Sequence, residues 1–299
     1  MIWVVGCNGM LGAEVCRQLA GAGVDFAATG RGVDIADMGA LRAFAAGKEI
    51  RAVVNCAAYT AVDRAEGEQD AARRLNEDGA RNLARLAREV GATLIHVSTD
   101  YVFDGTGTRP YAEDDPVSPL GVYGATKAAG ERAAAEETAD LYILRTAWLY
   151  GWAGKNFVYT MIRMMNVRGS LKVVSDQRGT PTFCGTLARV ILHVLARLGT
   201  GREIPRGVYH VTDEGETTWF GFAEEIRRQG AAAGRVSNAA CVVSPCSTAE
   251  YPTPARRPAY SVLSKAKIRR ALGAPLPDWR ESLGEFLASD LFDEARVAP

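Results

Sequence analysis

Short apolar runs alternate with longer amphipathic stretches through the first 150 residues of the chain. Such runs are typical of strands buried in a parallel sheet. Between them, apolar residues return every three or four positions, the period of a helix with one buried face. Strands are predicted at residues 2–5, 25–29, 52–56, 93–97 and 141–145, and one long helix at residues 65–90. This alternation predicts an α/β fold with a Rossmann-type doubly wound parallel sheet.

The pattern becomes less regular beyond Gly151. A helix is predicted at residues 187–198, a loop at 199–207, and a proline-rich turn segment at 251–258. A chain of 299 residues is long enough for two domains. We expect residues 1–150 to form a dinucleotide-binding domain to which 184–220 return. Residues 151–183 and 221–299 would form a smaller substrate-binding lobe.

A glycine-rich turn directly follows the first strand. Gly6, Gly9 and Gly12 are spaced Gly-x-x-Gly-x-x-Gly, and a helical pattern begins at once. Glycine lets the backbone approach a pyrophosphate, whose charge is favourable at a helix N-terminus. The small residues Ala57 and Ala58 after the third strand would likewise let a cofactor lie against the backbone. These features predict a dinucleotide site.

The residues after the second strand bear on the choice between NADPH and NADH. An acidic residue there would hold the ribose 2′-hydroxyl and repel a 2′-phosphate. The chain has Arg31 instead, which could pair with that phosphate. This predicts a preference for NADPH, with the use of NADH left open and a solvated arginine as the alternative. Asp34 is a candidate for the adenine edge, or else the N-cap of a helix beginning near Met38.

The stretch from Ser98 to Lys127 carries candidate catalytic residues. Tyr123 and Lys127 are four positions apart, so a helix would present both on one face. A neighbouring ammonium favours the charged form of a phenol, so Lys127 is expected to lower the pKa of Tyr123. Thr99 and Asp100 end the fourth strand, at the edge where such sheets place ligands. The stretch predicts an oxidoreductase with Tyr123 as its acid.

Composition narrows the function classes. The 35 basic and 35 acidic side chains cancel, so no overall field attracts nucleic acid or an anionic membrane. No apolar run approaches the ~18 residues of a membrane span, and the N-terminus lacks the basic segment of a signal peptide. The six cysteines contain no Cys-x-x-Cys, which favours reduced thiols in the cytoplasm and no zinc site. We expect a small-molecule partner.

Several motifs resemble the extended short-chain dehydrogenase/reductase family. More narrowly, they resemble its members that reduce a dTDP-linked 4-keto-6-deoxy sugar. The resemblance covers nearly the whole chain. Besides the glycine turn, it rests on Asn55-Cys-Ala-Ala-Tyr-Thr-Ala-Val-Asp63, Ser98-Thr-Asp-Tyr-Val-Phe-Asp-Gly105, Ser118-Pro-Leu-Gly-Val-Tyr-Gly-Ala-Thr-Lys127, Arg145-Thr-Ala-Trp-Leu-Tyr150, Asp176-Gln-Arg-Gly-Thr-Pro-Thr182 and Tyr251-Pro-Thr-Pro-Ala-Arg-Arg-Pro258.

The resemblance implies NAD(P)H-dependent reduction of the C4 keto group of dTDP-4-dehydro-L-rhamnose to dTDP-L-rhamnose, a step that supplies cell-surface polysaccharide. Thr99, Tyr123 and Lys127 would form the catalytic triad, with Tyr123 protonating the new alkoxide and Thr99 bonding the carbonyl. Lys127 would hold the nicotinamide ribose.

The resemblance also implies which residues contact each ligand. The dinucleotide would lie against Gly9, Met10, Leu11, Asp34, Ile35, Ala58, Tyr59, Thr60 and Val97. The sugar nucleotide would contact Asp100 and Trp148, and Lys155-Asn156 with Arg256-Arg257 could neutralise its diphosphate. A solvated loop is the alternative for Arg257 in particular, and a buried tryptophan in ordinary packing is the alternative for Trp148.

Two other classes stay open. The first is an epimerase or dehydratase on the same scaffold, although Tyr101 follows Asp100 where dehydratases place an acid pair after the threonine. The second is a non-catalytic binder, because the regulatory beta subunit of methionine adenosyltransferase resembles the same reductases. Some relatives dimerise through magnesium held by acidic clusters. Glu14 fits such a place but residues 183–189 lack acids, so magnesium is doubtful and a homodimer is left open.

Overall fold

The computed structural model describes residues 1–238 and 240–297, and a parallel sheet forms its centre. Six strands pair in the order β2-β1-β3-β4-β5-β10, all parallel. The order changes direction between β1 and β3, and doubly wound sheets bind ligands outside the carboxyl ends of the strands at such a point. The predicted fold class is confirmed. The strands are β1 (Ile2–Val5), β2 (Phe26–Thr29), β3 (Ala52–Asn55), β4 (Thr93–Thr99), β5 (Leu141–Thr146), β6 (Leu149–Tyr150), β7 (Ser170–Val174), β8 (Arg178–Gly179), β9 (Thr182–Phe183), β10 (Gly207–His210), β11 (Thr217–Thr218) and β12 (Val242–Cys246).

Helices cover both faces of this sheet. One face buries Ile2, Val4 and Val54 against α1 and α8, and the other buries Trp3 and Val53 against α2 and α5. Alternate residues of one strand therefore serve opposite cores, which is why the strands read as continuous apolar runs. The helices are α1 (Met10–Gly21), α2 (Met38–Ala45), α3 (Val62–Ala65), α4 (Gln69–Arg73), α5 (Gly79–Glu89), α6 (Val122–Glu137), α7 (Phe157–Val167), α8 (Cys184–Arg197), α9 (Trp219–Ala232), α10 (Ala266–Leu272) and α11 (Trp279–Ala288).

The long helix predicted at residues 65–90 is wrong in detail. The chain forms α3, α4 and α5, with a π-helical turn at Arg74–Asp78 before α5. Asn76 in that turn is buried, and its amide bonds the backbone of Tyr59 and the hydroxyl of Thr126. These partners are distant in sequence, so the apolar period of the helix could not indicate the interruption.

The second half of the chain divides its apolar residues between two clusters. The helix predicted at 187–198 is α8, which packs on α1 beside the sheet, while β10 adds the last strand. Tyr150, Phe183, Phe222 and Phe286 belong to a separate aromatic cluster between α7, α9 and α11.

The predicted division into two lobes stays a prediction. Ile268 of α10 lies with the sheet cluster, although its segment was assigned to the smaller lobe. Residues 239, 298 and 299 of that lobe lie outside the described residues.

Two expectations from the composition concern membrane spans and the cysteines. Within the described ranges, no helix is long and apolar enough to span a bilayer. All six cysteines are free thiols.

Candidate active site

The glycine turn leaves the N-terminus of α1 open beside β3. Gly6 has φ +82°, and a Cβ there would stand 2.7 Å from the backbone nitrogen of Ala57. A Cβ on Gly12 would collide with the carbonyl oxygen of Gly6. The amide of Gly9 donates to that same oxygen at 3.0 Å, and α1 begins at the next residue. The turn thus presents bare backbone at a helix N-terminus, which fits a dinucleotide pyrophosphate.

The end of β2 holds the residues expected at the adenosine. Arg31 is exposed. Asp34 forms an ion pair with Arg74 and accepts from the amide of Ala36 at 2.9 Å, and the ion pair holds the pKa of its carboxyl below the usual range. Asp34 is not the cap of α2, because Asp37 accepts from the first amides of that helix.

Other cofactor candidates differ in exposure. Ile35 is buried in the core under α2 and α5 rather than turned to the surface. Tyr59 donates its hydroxyl to Glu68 at 2.5 Å, and its amide is held by Asn76. The remaining candidates near the turn are Met10, Leu11, Ala57, Ala58, Thr60 and Val97. Leu11 is buried, Thr60 is exposed, and the other four are partly exposed.

The catalytic candidates meet at the end of β4. Thr99 ends the strand, and its hydroxyl donates to the carboxylate of Asp100 at 3.0 Å. Tyr123 and Lys127 lie on one face of α6, as predicted. The Lys127 ammonium is buried and donates to the carbonyl of Val97 at 2.7 Å.

The electrostatics of this group differ from the expectation. Burial raises the pKa of Tyr123, and contact with the Thr99 hydroxyl offsets part of that shift. Burial lowers the pKa of Lys127 to about 8, against the pull of Glu131. The expected lowering of the Tyr123 pKa by Lys127 is wrong for the protein alone, because desolvation dominates and the ammonium is turned to a carbonyl. Tyr123 therefore keeps its proton at neutral pH, as a proton donor must.

A buried ion pair supports α6 from beneath. Glu131, one turn beyond Lys127, accepts from Arg145 of β5 at 2.7 Å and from Ser98 at 2.5 Å. Arg145 also approaches the buried His210, whose pKa burial lowers to about 3. This network was not predicted from the sequence. The one feature of the sequence that could have indicated the network is the spacing of four residues between Lys127 and Glu131.

Asp100 is an almost fully buried carboxylate beside Thr99. One of its oxygens has no hydrogen-bond partner among the described residues. Burial raises its pKa to about 6, and the nearby hydroxyls of Ser261 and Thr99 offset part of the shift. A buried acceptor of this kind suits a polar ligand group.

Trp148 has a strained backbone and a stacked ring. Its φ is +45°, the one positive value at a non-glycine position in the described chain. Its indole stacks on Trp219, with ring centroids 3.6 Å apart and planes at 10°. A Cβ on Gly179 would stand 2.6 Å from the indole. Strain of this kind at a bulky residue is typical of functional sites.

The other substrate candidates differ in burial and in partners. Asn156 is buried as the N-cap of α7, and its amide also donates to the carbonyl of Gly151 at 2.7 Å. Arg256 is exposed. Arg257, the weaker candidate, is the arginine held in place, by Asp63 at 2.9 Å.

The acid proposed for magnesium has other partners. Glu14 is buried and bonds Arg17 and Gln18. In residues 1–238 and 240–297, no three His, Cys, Asp or Glu side chains are grouped as metal ligands.

Comparison with known proteins decides the family. The family model described as "RmlD substrate binding domain" matches residues 1–291. The chain belongs to this family. A curated relative, dTDP-4-dehydrorhamnose reductase of Streptomyces griseus, is 46% identical over 289 residues, covering 95% of this chain and 92% of the relative. The resemblance inferred from the motifs is confirmed.

Two further members bear on cofactor and substrate. A crystal structure of dTDP-4-dehydrorhamnose reductase from Bacillus anthracis in complex with NADP has a TM-score of 0.86 and 36% identity, covering 95% of this chain and 97% of that one. A probable dTDP-4,6-dihydroxy-2-methyloxan-3-one 4-ketoreductase of Streptomyces antibioticus is 44% identical, covering 95% of this chain and 94% of the relative.

Proposed function

We propose that the protein is an NADPH-dependent dTDP-4-dehydrorhamnose reductase, which reduces the C4 keto group of dTDP-4-dehydro-L-rhamnose to dTDP-L-rhamnose. The observation that carries the proposal is the grouping of Thr99, Tyr123 and Lys127 at the carboxyl end of β4. The glycine turn, which fits a dinucleotide, follows β1 at the same edge of the parallel sheet. Relatives up to 46% identical carry the same activity in their names.

Each residue of the group has a distinct task. Bound NADPH would supply the hydride, held at the glycine turn and the end of β3. Thr99 and Tyr123 would bond the C4 oxygen and stabilise the charge that develops there. Tyr123 then donates its proton to the new alkoxide, since a phenol is protonated at neutral pH even at its ordinary pKa of about 10. The nicotinamide ribose of bound NADPH would compete with the Val97 carbonyl for the Lys127 ammonium, and Lys127 would then hold that ribose.

Recognition of the sugar nucleotide falls to residues around this group. Asp100 offers an unpartnered buried oxygen, and Trp148 offers an apolar ring for the deoxysugar or base. Asn156 and Arg256 remain candidates for the diphosphate, although the amide of Asn156 already serves the α7 cap.

NADPH oxidation tests the proposal. dTDP-4-dehydro-L-rhamnose, made in place by the preceding enzymes, should cause a fall in NADPH absorbance with dTDP-L-rhamnose as product. Absence of oxidation by enzyme that binds NADPH would contradict the proposal.

NADH serves as a parallel cofactor, and Arg31→Ala should weaken NADPH binding by about tenfold with NADH binding unchanged. Equal loss for both cofactors would remove Arg31 from the choice.

A different dTDP-linked keto sugar is the second candidate substrate. The 44% identical ketoreductase of Streptomyces antibioticus supports it, because that name specifies another sugar skeleton. Oxidation of NADPH by that class of keto sugar, but not by the rhamnose precursor, would favour it.

A further inference from the structure

The proline-rich segment at residues 252–261 contacts α3, which follows β3, and the turn that follows β4. We call this segment the strap. The amide of Ala255 donates to Asp63 at 3.3 Å, and the amide of Tyr260 donates to the carbonyl of Gly105 at 3.1 Å. These partners are about 150 to 190 positions earlier in the chain. The strap therefore connects α3 to the turn after β4, which begins at the catalytic candidate Thr99.

Arg257 is the charged contact of the strap. Its guanidinium donates to Asp63 at 2.9 Å and to the hydroxyl of Tyr101 at 3.4 Å. Tyr101 follows Asp100 directly, and its amide donates to the Thr99 hydroxyl at 3.2 Å. One planar guanidinium thus joins α3 to Tyr101, two residues beyond the catalytic candidate Thr99.

Tyr101 in turn contacts Tyr123. The two rings meet edge to face, with centroids 5.6 Å apart and planes at 73°. The backbone is equally close, because a Cβ on Gly124 would collide with the carbonyl oxygen of Tyr101. The position of Tyr101 therefore sets where the phenol of Tyr123 stands relative to Thr99.

We propose that Arg257 is a positioning residue, which holds the Tyr101 ring against Tyr123 and so aligns the proton donor with Thr99. The pair with Asp63 is partly exposed, with 25% and 39% of the side chains accessible. Exposed pairs contribute little to folding, so the effect falls on catalytic geometry. The proposal rests on the proposed reductase activity for its kinetic readout.

Substitutions at Arg257 and Asp63, with a matched control, test the positioning. Arg257→Met should lower kcat roughly 10- to 100-fold, since a displacement of about 1 Å costs that much, with NADPH affinity and the thermal midpoint within the range of the control. Asp63→Asn should act in the same direction, and the double variant should be no slower than the slower single variant. Arg42→Met is the control, because Arg42 forms a similar pair with Glu89 between α2 and α5. Arg257→Lys keeps the positive charge and should have a higher kcat than Arg257→Met.

Hydrogen exchange gives a readout that needs no turnover. The amides of Tyr101 and Phe103 are bonded within the turn after β4, and both should exchange faster in Arg257→Met than in Arg42→Met. Unchanged exchange, or a kcat within twofold of wild type, would overturn the positioning role. Loss of kcat matched by equal loss of NADPH affinity and thermal stability would also overturn it. Wild-type protein that reduces no keto sugar would contradict the proposed function instead, leaving the exchange result to decide this one.

Discussion

The parts of the chain before and after Gly151 differ in how far apart in the sequence the residues lie that determine their structure. In the first part, strands, glycine turn and the Tyr123–Lys127 pair all follow from residues within a few positions of one another. In the second part, elements are held by distant partners, such as Tyr159, whose hydroxyl accepts from the amide of Asp293. The first part holds the candidate catalytic residues. The second part supplies Gly179, which packs against the Trp148 indole of the first part, and we propose that this contact serves the choice of substrate.

Removal of the Tyr123 hydroxyl should have the largest effect. Tyr123→Phe should lower kcat by about 10²- to 10⁴-fold, the contribution of a positioned acid, while NADPH still binds. Stopped-flow NADPH oxidation and equilibrium binding would measure both. Turnover within tenfold of wild type would place the proton donor elsewhere.

A methyl group in the glycine turn should disturb the first part next. Gly12→Ala should lower the free energy of unfolding by ~2 kcal/mol and weaken NADPH binding, because the new Cβ collides with the Gly6 carbonyl. Gly21→Ala on the same helix is the matched control. Its Cβ meets nothing within 4 Å, so a gain of ~0.5 kcal/mol is expected. Denaturant unfolding with equal results for both would contradict the close packing of the turn.

The same change in the second part should act on the substrate instead. Gly179→Ala pushes a methyl group into the Trp148 indole, so KM for the sugar nucleotide should rise about tenfold with NADPH affinity unchanged. Gly169→Ala, where the added Cβ meets nothing within 4 Å, serves as the control. An unchanged KM would separate Trp148 from the substrate.

The smallest expected effect is on the pH dependence of stability, through Asp213 in the second part. Asp213 follows β10 and accepts from the amide of Phe183 at 3.0 Å, and burial raises its pKa from 3.8 to about 7. The folded state therefore binds a proton that the unfolded state releases, so stability falls as pH rises from about 4 to about 7. Between pH 6 and 7 the loss should be ~1 kcal/mol.

Asp213→Asn should remove that dependence, whereas the exposed Asp290→Asn should keep it. Urea unfolding at several pH values measures the difference. Identical pH profiles for wild type and Asp213→Asn would exclude the titration.

The parts differ in how far the sequence predicts them. The strand runs placed β1 to β5 almost to the residue, since a buried parallel strand needs little beyond its own apolar side chains. The π turn at Arg74–Asp78 escaped prediction because Asn76 bonds a loop and a helix that the local pattern does not contain. The Tyr123 pKa was expected to fall and instead rises, because burial depends on the whole fold. Arg257 and Asp63 are 194 positions apart, so the local sequence around either residue does not indicate that the two pair.

Transfer of label from the cofactor tests the central claim most directly. With dTDP-4-dehydro-L-rhamnose and NADPH carrying deuterium at the transferable position, NMR of the product should place deuterium at C4 of the sugar alone. Each turnover should consume one NADPH. An unlabelled product, or turnover on tightly retained cofactor without net oxidation, would contradict a reductase and assign the scaffold to epimerase or dehydratase chemistry.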